Sequence, residues 1–63
     1  MVIRASEVHE DPVRAKLGVG LAAEALGVQC NLHLTTMWRV DINPKDAKAF
    51  LELAREEAAR NGR

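Results

Sequence analysis

Between Val28 and Ile42 the chain changes character at every step. Val28, Cys30, Leu32, Leu34, Thr36, Trp38, Val40 and Ile42 fall on one side, and Gln29, Asn31, His33, Thr35, Met37, Arg39 and Asp41 on the other. Successive side chains of an extended backbone point to opposite faces, so a period of two held this long predicts a strand with one buried face. No glycine or proline interrupts it. At roughly 3.3 Å per residue the strand would reach about 50 Å, several times the usual length, so a bend, a bulge or a partner chain is expected.

Helix signals stand on both sides of this stretch. Asp11-Pro12 pairs a carboxylate that can accept from an orphan amide with a proline suited to the first helical position, and Gly27 is a natural left-handed cap, so a helix is expected over 12–26. Val13, Leu17, Leu21 and Ala25, with Gly18, Ala22 and Leu26 alongside, recur at three and four residues and form its expected apolar stripe. Gly18 and Gly20 each cost about 1 kcal/mol relative to alanine, and a backbone approaching closely at Gly18 and Ala22 would be one reason to keep them. Asn43-Pro44 repeats the start signal, and Ala47, Phe50, Leu51, Ala54 and Ala58 trace a second helix over 44–61, with Glu56–Arg60 and Glu52–Arg55 as supporting ion pairs. Val2 and Ile3 are compatible with a short strand, an edge or an arm.

The order predicts an α+β fold in a single domain spanning 1–63: short strand, helix, long amphipathic strand, helix. A chain of 63 residues buries a small core. With one cysteine it has no internal disulfide to compensate. A long strand also needs partners for its amides and carbonyls. If Val2 and Ile3 pair beside it, the first helix becomes a crossover between parallel strands, but most of the edge stays open. The economical remedy is a second copy of the chain, with Leu32, Leu34, Trp38 and Val40 as core or oligomer interface and the sheet completed by dimerisation. A hairpin bending around Leu34-Thr35-Thr36-Met37 is the competing solution, against which stands the lack of glycine or proline there.

Nine basic and nine acidic residues cancel, so the bulk attraction to phosphate expected of a small nucleic-acid binder is missing. No apolar run approaches a membrane span and no signal-peptide layout opens the chain; the expectation is a cytoplasmic protein without membrane contact. Cys30 and His33 have metal-ligand chemistry, but a strand turns them to opposite faces, so no metal and no cofactor is expected. No nucleophile–base order, phosphate loop or carboxylate pair is present, so no catalytic residue is assigned and the balance is against an enzyme.

Asn31, His33, Thr35 and Arg39 remain as the polar face of the strand, and these are the expected contacts for a protein partner. Histidine titrates near neutrality and arginine can hold a carboxylate or phosphate through a planar fork. The function expected is thus a small homo-oligomeric interaction or regulatory module that binds a macromolecular partner. One alternative is a ligand-binding protein or enzyme with its site at a dimer interface.

The other alternative concerns DNA. Leu21-Ala22-Ala23-Glu24-Ala25-Leu26-Gly27-Val28 resembles the first helix and turn of a helix-turn-helix, with Ala23, Gly27 and Val28 at its small, turn and apolar positions. The resemblance implies a transcriptional regulator with Thr35 to Arg39 at the end of a recognition helix. His33 and Thr36 depart from it, standing where that motif wants buried apolar residues.

Overall fold

The computed structural model describes residues 1–34 and 36–60. Strand β1 (Val2–Arg4) leads through a single 3-10 turn, Ala5–Glu7, to helix α1 (Pro12–Leu26); strands β2 (Cys30–Asn31) and β3 (Met37–Val40) follow, then helix α2 (Pro44–Arg60). The strands form a three-stranded sheet in the order β1-β3-β2, antiparallel throughout. This is an α+β fold. Among the described residues no helix is long and apolar enough to cross a membrane.

Both helices start where the Asx-Pro signals place them. Asp11 Oδ1 accepts from the Val13 amide at 2.9 Å, and Gly27 closes α1 at φ 68°, a conformation that carries no steric penalty for glycine. Helix α2 buries Phe50, Ala54 and Ala58, with Leu51 and Leu53 half-buried beside them. Its Glu56–Arg60 pair forms at 3.1 Å. The expected Glu52–Arg55 pair does not appear among the described ion pairs; Arg55 Nε instead donates to the Glu7 carbonyl at 2.7 Å and ties α2 to the turn after β1.

The single long strand is not formed; the competing solution, a hairpin, is, with β2 ending at Asn31 and β3 starting at Met37. Asn31 folds its side chain back so that Oδ1 accepts from the His33 amide at 2.9 Å, an Asx turn that ends β2 without glycine or proline. Trp38 Nε1 donates to the Leu34 carbonyl at 2.6 Å and pins the loop over the following strand. Beyond the two-residue ladder, the Asp41 amide donates to the Gln29 carbonyl at 2.8 Å and extends the pairing. On the other side β1 runs antiparallel to β3, with Ile3 opposite Trp38, so α1 is not a crossover between parallel strands. β3 is therefore central, and both its hydrogen-bonding edges are used within the chain.

Ile3, Trp38 and Val40 point from the sheet into a core shared with Ala5, Val8, Val19, Ala22, Phe50 and Ala54. Leu32 packs partly against this core, whereas Leu34 is 59% exposed and is not a core residue, because the loop carries it clear of the sheet.

Helix α1 meets expectation at Gly18 and Ala22, which are buried, and departs from it in the rest of its stripe. Its buried residues are Ala15, Gly18, Val19, Ala22 and Ala23, while Val13 is 77% and Leu17 46% exposed. The stripe of larger side chains faces outward. A Cβ added at Gly18 would lie 2.8 Å from Ala58 Cβ and 2.9 Å from Ala58 N, so the two helix backbones approach too closely at this point for any side chain on α1. Close packing against α2 thus selects small residues at the contact and leaves Val13, Leu17 and Leu26 exposed, with Leu21 half-buried.

Candidate interaction surface

Because the helices cover one face of the sheet, the other is open. The alternation of β1 and β3 places Val2, Arg4, Met37 and Arg39 there, each exposed. The register sets Val2 opposite Arg39 on one side and Asn31 opposite Arg39 on the other, with Arg4 opposite Met37. Arg39 thus stands at the middle of the open face. No described residue forms an ion pair with either Arg39 or Arg4. Beside Arg39 a shallow depression of about 180 Å³ is lined by Gln29, Cys30, Asn31 and Asp41. An arginine fork with free donors next to the amides of Gln29 and Asn31 can receive a carboxylate and still satisfy its second oxygen.

Of the residues read from the sequence as partner contacts, Asn31 and Arg39 come together in this way. His33 is exposed but sits in the hairpin loop beyond β2, outside the ladder that aligns the other two. Thr35 lies outside the described residues. Val2 and Arg4 were not anticipated, although the exposed-buried-exposed pattern of Val2-Ile3-Arg4 was present to be read in a strand of three residues.

Cys30 is half-buried against the core, and burial raises its thiol pKa above the ordinary value. The described residues hold no group of three or more His, Cys, Asp or Glu arranged for a metal ion. Gly27 is followed by β2 and not by a second helix, so the helix-turn-helix geometry is not formed.

A second surface lies on α1. Val13, Lys16, Leu17, Gly20, Leu21 and Glu24, with Leu32 from the hairpin, line an open groove of about 510 Å³. The two surfaces differ in chemistry: one carries Arg4 and Arg39 with the amides of Gln29 and Asn31 and the Asp41 carboxylate at its edge, the other is apolar with a cation and an anion at its margins. Comparison with protein-family models, curated proteins and solved structures finds no match for this chain.

Proposed function

We propose that the chain is a small, non-enzymatic, homo-oligomeric interaction module that binds an acidic segment of a partner protein on the open face of its sheet. The observation that supports this reading is the position of Arg39, central on an uncovered face, flanked by Val2 and Asn31, and in no ion pair with a described residue. Arg4 and Met37 extend the face, supplying a second cation and an adaptable apolar contact. The formal net charge of zero favours a local acidic segment over a polyanion, because nothing in the overall charge would draw in a duplex.

The test is affinity capture from the source cell, followed by native mass spectrometry, comparing wild type with Arg4→Ala/Arg39→Ala and with His33→Ala. The reading predicts a specific protein retained by wild type and by His33→Ala and lost by the double arginine variant. Salt-dependent binding of duplex DNA would favour a regulator instead, and a co-purifying small molecule would favour a ligand carrier.

A further inference from the structure

We propose that two copies of this chain associate through the outer face of α1, with the helices antiparallel about a two-fold axis at Gly20. The inference rests on the oligomeric part of the function above and names the surface that carries it.

Gly20 is the first reason. Gly18 is required by its own chain, since α2 leaves no room for a Cβ. Gly20 is not: a Cβ there would meet only Leu32 Cδ1, at an ordinary 3.4 Å. A glycine in the middle of a helix costs about 1 kcal/mol relative to alanine, and nothing within the fold offsets it. A second helix backbone lying across Gly20 does, because it needs the space a side chain would fill.

Charge is the second reason. Lys16 and Glu24 are both exposed and lie at the margins of the groove, four residues before and four after Gly20. Eight residues apart, they are separated by about 12 Å along one helix and cannot pair within the chain. A two-fold axis through Gly20 sets Lys16 opposite the partner's Glu24 and, by the same operation, Glu24 opposite the partner's Lys16. Only the antiparallel self-complex gives this double match, since an isologous interface pairs each residue with its counterpart's complement.

Apolar area completes the fit. Leu17 and Leu21, four residues apart and so on one side of α1, both line the groove, and the axis leaves Leu17 and the partner's Leu21 only about 3 Å apart along the helix direction, twice, with Leu32 as a second wall. Val13, the most exposed large apolar side chain on this face, is covered at the ends. The interface leaves the open sheet face free for its own partner.

Sedimentation velocity over a micromolar-to-millimolar series, with circular dichroism of every variant, tests this. Wild type should dimerise and Leu17→Gln should be monomeric with unchanged helix content, because Leu17 is outside the core. Lys16→Glu and Glu24→Lys should each weaken the dimer by about tenfold or more, since each sets like charges against each other, and the double reversal Lys16→Glu/Glu24→Lys should restore it, since opposite charges then meet again. A wild type monomeric throughout the series overturns the inference together with the oligomeric part of the proposed function. A dimer indifferent to Leu17→Gln and to the single reversals overturns the α1 surface alone, and failure of the double reversal to restore it overturns the two-fold register.

Discussion

Gly18 of α1 faces Ala58 of α2 across a gap too narrow for any side chain: a Cβ at position 18 would stand 2.8 Å from that of Ala58. Gly18→Ala should therefore destabilise the fold. The gain in helix propensity, about 1 kcal/mol, is outweighed by overpacking against backbone that cannot step aside, for a net loss of about 1–2 kcal/mol. Gly20→Ala, two residues along, should have the opposite sign for the dilute monomer, up to about 1 kcal/mol more stable. Urea denaturation of both variants at low concentration reads the difference directly.

Trp38 joins the core to the hairpin loop, its ring 1% exposed and its Nε1 donating to the Leu34 carbonyl. Trp38→Ala should cost about 3–5 kcal/mol, enough to unfold a chain this small. Trp38→Phe keeps most of the ring and removes the donor. It should cost about 1–3 kcal/mol through the smaller ring and the unpaired carbonyl, with faster amide exchange concentrated in the loop after β2.

Asn31→Ala removes the acceptor for the His33 amide and should cost about 1 kcal/mol. Asn31→Asp preserves the acceptor and should retain most of the stability. Comparing the two denaturation midpoints separates the turn from any contact Asn31 makes with a partner.

The raised pKa of Cys30 lowers the thiolate fraction at neutral pH, and the thiolate is the species that reacts. Alkylation by iodoacetamide should be slower in the folded protein than in urea at the same pH. Equal rates would mean that Cys30 is not held against the core.

The helix boundaries were legible because their signals are local: Asp11-Pro12, Gly27 and Asn43-Pro44 each act on the backbone they adjoin. The burial of Trp38 and Val40 followed from alternation, which is also local. The hairpin was not legible in the same way. Alternation continues through Leu32 and Leu34 although the backbone has turned, and the turn is made by the Asn31 side chain and the indole of Trp38, not by glycine or proline. The facing of α1 is legible only in part: Gly18 and Ala22 signal a close neighbour, but not that the larger side chains beside them turn outward. Helical periodicity identifies two stripes, one of Val13, Leu17 and Leu21 and one of Gly18 and Ala22, and hydrophobicity alone ranks the larger one as core. Only the distance to α2 decides, and that distance is set by Ala54 and Ala58 in the other helix. Within the candidate site, Asn31 and Arg39 could be read from one strand pattern, whereas Val2 and Arg4 join them through a pairing between distant parts of the chain.

The outward facing of Val13 and Leu17, with Gly18 and Ala22 turned inward, underlies both the core and the proposed self-association. Thiol labelling measures it most directly, using Leu17→Cys and Ala22→Cys, each in a Cys30→Ser background, at concentrations low enough to keep the chain monomeric. The thiol at position 17 should react at nearly the rate of an unfolded control while the thiol at position 22 is protected until the protein unfolds. The reverse pattern, protection at 17 and ready labelling at 22, would contradict the packing of α1 on α2 described above.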